Sequence, residues 1–308
     1  MRLTDDEAWM MFRRMRWPST NGEPVCPHCG GYVCYDVKRP SGAPRFRCKA
    51  CRKDFSPTSG TLFAYHKLSI RDYLAAIVVF CNAVKGISAL QLARDLGVAP
   101  KSAFVLAHKL REAMASEMRG ATVGGDGRVV EVDGMYSGGY VRPENKKEDR
   151  KDRRLAENQT GKRRVVVAMR ERKGRTLTAV FPSEDEAIGF IKARVEPGTI
   201  VHTDEAQSWN DLRARYSVRQ VNHSEAFSQD GACTNMAESF FSRLRRAQWG
   251  QYHRISGLYL GRYSAEAGWR EDHRRMSNGD QVKRVMARAA MLPQSVDWCG
   301  YWQRGRVV

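Results

Sequence analysis

The sequence lacks any apolar stretch long enough to cross a membrane. Its longest apolar run, Tyr73 to Val84, is much shorter than the roughly 20 residues that a spanning helix needs. The first residues include early acids and have no apolar core followed by a small-residue cleavage site, so nothing marks the chain for export. We therefore expect a cytoplasmic protein in a reducing compartment, with no membrane partner.

Acidic residues are also in short supply. The chain has 34 Asp and Glu against 52 Lys and Arg, which gives a formal charge of +18 and an isoelectric point near 9.8. This excess is larger than solubility requires and predicts a polyanionic partner. No long basic amphipathic helix suited to a lipid surface stands out, so the pattern favours nucleic acid over an anionic membrane.

Four of the eight cysteines form two closely spaced pairs, which makes a disulfide framework the weaker interpretation. Cys26 and Cys29 are separated by eighteen residues from Cys48 and Cys51. Each pair offers two thiolates, and the two pairs together complete a tetrahedral Zn²⁺ shell. Short strands around a Pro- and Gly-rich turn predict a structural zinc ribbon within residues 1–66. A redox motif is the alternative, but neither pair has the strand-to-helix context of one.

Residues 67–120 show apolar positions at spacings of three and four, which predict helices. Gly97 supplies a turn and Pro100 opens the next helix, a pattern typical of a helix-turn-helix-like DNA-binding domain. In that case Lys101 and Ser102 on the second helix would face the groove of the DNA. The alternative is a plain helical hairpin.

After a Gly-rich linker, the spacing of apolar residues in 121–275 changes from a helical pattern to one that begins with strands. Three strands, an amphipathic helix and a further strand predict an α/β catalytic domain with a mixed sheet. A charged run between the first two strands is expected to be a solvated loop, with DNA contact as the alternative. Residues 276–308 are predicted to be a basic C-terminal tail.

Three acids fall at element ends within this domain. Asp133 lies near the end of the first predicted strand, Asp204 ends a later one, and Glu238 lies at the start of a helix. Taken singly, each could be a capping residue, and Asn235 with Glu238 has the spacing of a capping box. Taken together, they could meet at one sheet edge, where they would repel one another unless a cation lay between them. Oxygen ligands suit Mg²⁺ or Mn²⁺, and two such ions can cut a phosphodiester.

Basic side chains follow Glu238 on the same predicted helix. They are Arg243, Arg245 and Arg246, with His253 further on. Guanidinium groups bind phosphate oxygens in a bidentate manner. These side chains are therefore predicted to hold the phosphates that flank the cleaved bond.

With these features, the chain resembles the bacterial insertion-sequence transposases that have an ISXO2-like DDE domain behind a zinc ribbon. The matching residues are Cys26, Cys29, Cys48 and Cys51; Glu131, Val132, Asp133, Gly138 and Gly139; His202, Thr203 and Asp204; Asn235 and Glu238; Leu244, Arg245 and Arg246; Gly250, Tyr252, His253 and Ser256; and Tyr263, Glu266 and Arg270. The resemblance implies a ribonuclease H-like fold, a metal-dependent nick at the element ends, and transfer of the freed 3'-hydroxyl into target DNA.

The third catalytic position of the resembling groups is either Glu or Asn. Glu238 is the expected one here because an anion is the better ligand for a divalent ion, and Asn235 is the reserve. Arg245 stands where the family has Lys and is expected to keep its phosphate contact. Glu266 and Arg270, four residues apart on a predicted helix, are expected to form an ion pair.

The sequence therefore predicts a DNA transposase with structural Zn²⁺ and two catalytic Mg²⁺ or Mn²⁺ ions. Its expected partners are the terminal inverted repeats of the element and target DNA, bound by a homodimer or larger assembly on the bacterial nucleoid. The alternative is a catalytically inactive zinc-ribbon DNA-binding regulator derived from a transposase. A structure-selective nuclease, which cuts without joining, is a second alternative.

Overall fold

The computed structural model describes residues 3–40, 43–65, 68–140, 142–152, 155–158, 160–221 and 233–299. The chain divides into two compact units. The first consists of Met1–Ser116 with Met276–Val308, and the second is Glu117–Arg275. Within the described ranges, no helix is both long and apolar enough to cross a bilayer.

The described residues form eight α-helices and ten β-strands. The α-helices of the described residues are α1 Asp5–Arg16, α2 Ile70–Asn82, α3 Ala89–Leu96, α4 Pro100–Ala115, α5 Ile188–Arg194, α6 Asn235–Ala247, α7 Gly257–His273 and α8 Asn278–Met291. The β-strands are β1 Cys34–Asp36, β2 Phe46–Cys48, β3 Asp54–Phe55, β4 Val123–Gly124, β5 Val129–Ser137, β6 Arg164–Glu171, β7 Thr176–Phe181, β8 Val195–Glu196, β9 Ile200–Asp204 and β10 Ser217–Val221.

The first unit contains a small antiparallel sheet of β1, β2 and β3. Cys34 lies opposite Cys48 across β1 and β2, the two strands that the sequence predicts. The buried core beneath this sheet includes Trp17, Phe46 and Phe55, and the Trp17 ring meets both phenylalanines edge to face. A core of this size provides little stabilisation by itself. This region therefore needs a further source of stability.

Helices α3 and α4 form as the sequence pattern predicts. The Ser88 hydroxyl accepts a hydrogen bond of 3.1 Å from the backbone N–H of Gln91 and so caps the start of α3. The helix ends at Gly97, whose φ of 65° is left-handed and suits a residue without a side chain. Pro100 is the first residue of α4, where its missing N–H costs nothing.

The C-terminal segment differs from the predicted basic tail. Residues 278–291 form α8, which packs against α1, α2 and α4 within the first unit. The buried side chains Val285, Met286, Ala289 and Ala290 lie at the spacings of one helix face. The segment is basic in composition because it also contains Lys283, Arg284 and Arg288. For this reason the sequence analysis did not recognise the apolar stripe.

The second unit is built on a mixed five-stranded sheet of order β10-β9-β5-β6-β7. Strands β5, β6 and β7 are antiparallel neighbours, whereas β9 runs parallel to both β5 and β10. The α/β class and the mixed sheet are thus confirmed. Strand β10 was not predicted, because its alternation of polar and apolar residues is short and it lies at the edge of the sheet.

Helices cover both faces of this sheet. Val130 and Val132 of β5 belong to the core beneath α5 and the 3₁₀ segment Gln207–Ala214. Met135 belongs to the opposite core, formed with α6 and α7. Because successive side chains of a strand point to opposite faces, the odd-numbered residues of β5 face the α6 side.

Candidate active site and zinc centre

The sheet register brings Asp133 and Asp204 to the same level. Glu131 of β5 lies opposite His202 of β9 in a parallel pairing, and each aspartate follows two residues later on its strand. Both aspartates therefore project from the same face of neighbouring strands. Asp204 is the last residue of β9, so this pair lies at the carboxyl edge of the parallel strands.

Glu238 lies in the first turn of α6. The N-cap of this helix is Thr234, which makes no side-chain capping bond to the backbone, and Asn235 is the first helical residue. The capping-box alternative for Asn235 and Glu238 is therefore wrong. Instead, the hydroxyl of Thr234 donates to a Glu238 carboxylate oxygen over 3.2 Å. Asn235 is exposed one turn earlier.

The electrostatics of Asp133 show that several acids share one neighbourhood. Burial raises the pKa of Asp133 to about 7, although the backbone N–H of Gly134, 2.7 Å from Oδ1, acts to lower it. The negative charges of Asp204, Glu238 and Glu184 add to the increase in that order. A half-buried set of like charges favours a cation among them.

Two donors fix the orientation of Asp204. The indole Nε1 of Trp209 lies 2.7 Å from Oδ1, and the backbone N–H of Ala206 reaches the same oxygen at 3.2 Å. Trp209 is fully buried in the core beneath the sheet. Asp204 is therefore held by a side chain that itself cannot move freely.

Glu184, which sequence analysis did not single out, is the fourth acid of this neighbourhood. It lies between β7 and α5, and the hydroxyl of Ser208 donates to its Oε2 over 2.9 Å. Burial raises the pKa of Glu184 despite this hydrogen bond, and the charge of Asp204 raises it further. In the sequence, Glu184 begins the acidic run Glu184 to Glu186, which is typical of the first turn of a helix. Its local pattern therefore did not indicate a place near Asp133.

A glycine makes room for Glu184. A Cβ atom built on Gly134 would lie 2.4 Å from Oε1 of Glu184 and 3.1 Å from a methyl group of Val165. Position 134 directly follows Asp133, so the strand that carries the aspartate has no side chain where the glutamate approaches. A glycine inside a predicted strand, directly after Asp133, was the one sequence signal for this contact.

The basic residues of α6 differ in their surroundings. Arg243 forms an ion pair with the buried carboxylate of Glu271. Arg245 and Arg246 are exposed further along the helix. His253 is also exposed, just after the π-helical turn Gln248–Tyr252, and has a φ of 56°.

The remaining predicted DNA contacts lie in the first unit. Lys101 and Ser102 are both exposed in the first turn of α4. The predicted ion pair between Glu266 and Arg270 in the second unit is confirmed, with 2.8 Å between the carboxylate and the guanidinium.

The four paired cysteines form a compact set of ligands. Their Sγ atoms all lie within 4.8 Å of one another, and two Sγ pairs, Cys26 with Cys51 and Cys29 with Cys48, are 3.6 Å apart. Tetrahedral Zn²⁺ with Zn–S bonds of about 2.3 Å requires sulfur separations of roughly 3.8 Å. The geometry therefore fits structural Zn²⁺.

Two thiols of this set, those of Cys48 and Cys29, have pKa values shifted in opposite directions. The backbone N–H of Cys51 is the main cause that lowers the pKa of Cys48 to about 7. The backbone N–H of Gly31 also lowers the pKa of Cys29, but hydrogen bonding with Cys48 and Cys51 outweighs it and raises that pKa to about 12. A doubly charged ion removes this conflict by stabilising all four thiolates.

The acids are spaced more widely than the cysteines. Among the described residues, the cysteine set is the one group of three or more Cys, His, Asp or Glu whose ligand atoms all lie within 4.8 Å. Carboxylates without a counter-ion repel one another. In addition, two ions about 3.5–4 Å apart leave their outer ligands further apart than a single ion does. A donor set made entirely of carboxylates fits Mg²⁺ or Mn²⁺.

Comparison with known proteins identifies the class. Residues 124–272 match the ISXO2-like transposase domain, and residues 3–54 match the transposase zinc-ribbon domain. The chain therefore belongs to the insertion-sequence transposases that combine these two domains. Both domain models carry the designation IS1595.

Other comparisons add little. No curated protein sequence matches the chain. Among solved structures, the crystal structure of the Mos1 strand transfer complex is similar over 70% of this chain and 78% of that chain, with 12% identity and a TM-score of 0.26. A TM-score of this size is too low to support an assignment of fold.

We expect Cys48→Ser to release zinc and to loosen the packing of Trp17 on the ribbon, since three thiolates and a hydroxyl bind Zn²⁺ less well than four thiolates. Metal content measured by emission spectroscopy should fall from one zinc per chain, with a matching change in Trp fluorescence. Cys34→Ser is the matched control, because Cys34 lies on the same sheet but outside the set of four. Full zinc content in Cys48→Ser would contradict the assignment.

We expect Asp133→Asn to stabilise the metal-free protein, because it removes a half-buried charge repelled by three neighbouring acids. The gain should be on the order of 1 kcal/mol, or roughly 2–4 °C in melting temperature. Added Mg²⁺ should then stabilise the wild type more than the variant, which can be followed by thermal denaturation in chelator and in Mg²⁺. The control is Asp211→Asn at an exposed position of the same unit, which should change neither value. A lower melting temperature for Asp133→Asn in chelator would count against charge repulsion at this site.

Proposed function

We propose that the protein is a metal-dependent DDE transposase that nicks the ends of an insertion sequence and transfers the freed 3'-hydroxyl ends into target DNA. The observation that carries the proposal is the meeting of Asp133 and Asp204 on adjacent parallel strands, with the charges of Glu238 and Glu184 acting on the same carboxyl group. Membership of the transposase family supports it.

The neighbouring carboxylates support a role in phosphodiester cleavage. Asp133, Asp204 and Glu238 would hold two Mg²⁺ or Mn²⁺ ions. Glu184 approaches β5 at Gly134, on the opposite face from the Asp133 side chain, and would support the bound ions through its negative charge. When bound, the two ions activate a water or a 3'-hydroxyl and stabilise the leaving oxygen. Trp209 keeps Asp204 in one orientation through its hydrogen bond. Asn235 would take the place of Glu238 only if the glutamate were not a ligand.

The exposed basic residues supply the contacts to DNA. Arg245 and Arg246 would hold phosphates next to the cleaved bond, with His253 beyond them. Arg243 is paired with Glu271, so we assign it a structural role first and DNA contact only if that pair opens. Lys101 and Ser102 at the start of α4 would meet the terminal inverted repeat.

The proposal also includes the architecture and the assembly. A mixed sheet with helices on both faces supports a ribonuclease H-like fold for the catalytic domain within residues 121–275. The zinc ribbon in residues 1–66 and the helix-turn-helix-like segment in residues 67–120 would recognise the terminal repeats. Joining two DNA ends in one event calls for a homodimer or larger assembly.

The regulator alternative is not favoured. A protein that only binds DNA gains nothing from half-buried acids that repel one another, whereas a metal-dependent enzyme requires them. A nuclease that cuts without joining requires the same metal-binding acids as a transposase. The two functions are therefore distinguished only by their reaction products.

We expect Asp133→Asn, Asp204→Asn and Glu238→Gln each to reduce Mg²⁺-dependent nicking of a labelled terminal-repeat duplex. The loss should be on the order of 10³-fold, equivalent to about 4 kcal/mol of transition-state stabilisation. Binding of the same duplex in a gel-shift assay should remain. Asn235→Ala should keep most of the activity and so decide the third position.

Three results of this assay would speak against the proposal. Binding without any nicking by the wild type favours the regulator. Nicking without joined products favours the nuclease. Cutting by all three acid variants at the wild-type rate would remove the acids from the reaction altogether.

Glu184 can be tested through the glycine beneath it. We expect Gly134→Ala to displace the Glu184 carboxylate, because the new methyl group would occupy its place, and to reduce nicking about 10- to 100-fold, as does loss of a group that supports metal ligands. Glu184→Ala should have a similar effect. In the Glu184→Ala background, Gly134→Ala should then cost nothing further, as a double-mutant cycle would measure.

Gly189→Ala is the matched control for the glycine change. Gly189 lies on α5 of the same unit and a Cβ there meets nothing within 4 Å, so nicking should stay at the wild-type level. Additive losses for Gly134→Ala and Glu184→Ala would show that the alanine acts in some other way than by moving the glutamate.

A further inference from the structure

Glu131 is a completely buried carboxylate two residues before Asp133 on β5. Its side chain is on the same face as that of Asp133, the face covered by α6. A buried charge is costly unless it is paired and hydrogen-bonded. The partners of Glu131 therefore indicate what this carboxylate does.

One carboxylate oxygen of Glu131 caps α6. Its Oε2 accepts hydrogen bonds from the backbone N–H groups of Met236 and Ala237, at 2.8 and 3.1 Å. These residues belong to the first turn of the helix, where N–H groups lack partners within the helix and the dipole favours a negative charge. Thr234, the residue just before the helix, makes no side-chain capping bond to the backbone. The cap of α6 therefore comes from a side chain of the sheet.

The other oxygen of Glu131 joins a network around the chain that enters α6. Oε1 accepts from Nε of Arg172 at 3.0 Å, and the same guanidinium contacts Sγ of Cys233. The backbone N–H of Cys233 in turn donates to Nδ1 of His202 on β9, at 3.2 Å. Residues of β5 and β9, with Arg172 just after β6, thus hold the segment from Cys233 to Ala237 at several points.

This network fixes the position of one ligand relative to the other two. Glu238 follows Ala237 directly, whereas Asp133 and Asp204 lie two residues beyond Glu131 and His202 on their strands. The distance from the sheet to Glu238 is therefore set by the bonds that Glu131 makes to the helix end. A shift of α6 along the sheet would break those bonds and move Glu238 away from the aspartates.

We propose that Glu131 is a positioning residue that fixes the N-terminus of α6, so that Glu238 and the two aspartates bind divalent ions together. The proposal rests on the proposed function. Glu131 itself does not touch the ions or DNA.

The experiment compares Mn²⁺ affinity in purified full-length variants, measured from free Mn²⁺ by electron paramagnetic resonance. Glu131→Met, which is similar in size but has no acceptor, should bind Mn²⁺ about 10- to 100-fold more weakly than the wild type, the usual effect of losing a group that orients ligands. Glu131→Gln keeps one acceptor oxygen for the helix N–H groups and should recover most of the affinity.

Glu171→Met is the matched control for a general loss of stability. Glu171 is also a buried, ion-paired carboxylate on the same sheet, but its partner is Arg128. Its variant should lose thermal stability to a similar extent while its Mn²⁺ affinity stays at the wild-type level. Amide hydrogen exchange gives a second measurement without metal, because Met236 and Ala237 should exchange faster in Glu131→Met and not in Glu171→Met.

The outcomes separate the two proposals. Wild-type Mn²⁺ affinity in Glu131→Met, or an equal loss in Glu171→Met, would overturn the positioning role while leaving the proposed function in place. Absence of Mn²⁺ binding by the wild type would overturn the proposed function and the positioning role with it. Weaker binding in Glu131→Met, recovery in Glu131→Gln and faster exchange at Met236 and Ala237 together would support it.

Discussion

Burial of like charges around Asp133, in the middle of β5, is the constraint on which the second unit depends. Burial and three neighbouring acids raise the pKa of Asp133 to about 7, and no basic side chain is among the main influences on it. A fold that gathers such charges must hold each of them by other means. Trp209 does so for Asp204, Ser208 for Glu184 and Thr234 for Glu238, in each case through a hydrogen bond to the carboxylate. Every one of these donors is neutral, so the negative charge of the cluster is kept and not cancelled.

The zinc centre solves a related problem in the opposite way. Four thiols lie within 4.8 Å of one another, and there the geometry matches one tetrahedral ion closely. A closed set of four ligands leaves no position for a substrate, which is typical of a structural site. Among the described residues the acids form no closed set of this kind, because they are spaced more widely than the thiols.

The sequence predicted those parts of the molecule that depend on local pattern. The cysteine spacing, the glycine turn before α4 and the ion pair of Glu266 with Arg270 are all properties of a few neighbouring residues. Asp133 and Asp204 could be found because each lies on a strand that the sequence predicts. The helix α8 escaped because its composition is basic, although its periodicity was present in the sequence.

Contacts between distant elements could not be predicted in the same way. Glu184 approaches Asp133 only because β7, α5 and β5 come together in three dimensions, and its own stretch of sequence looks like an ordinary acidic helix start. Arg243 had the spacing of a phosphate contact, but its partner Glu271 lies 28 residues later on α7. Its ion pair is a matter of how two helices pack.

The cap of α6 has a consequence for the order in which the chain folds. Glu131, which accepts the first N–H groups of this helix, lies 105 residues before Met236 in the sequence. A helix of 13 residues with no capping side chain of its own is marginal in isolation, so it gains its full stability only when the central strands are already in place. Glu238 therefore reaches its final position near Asp133 only after β5 is in place. In a partly unfolded chain these acids are far apart, and their mutual repulsion is a property of the folded domain alone.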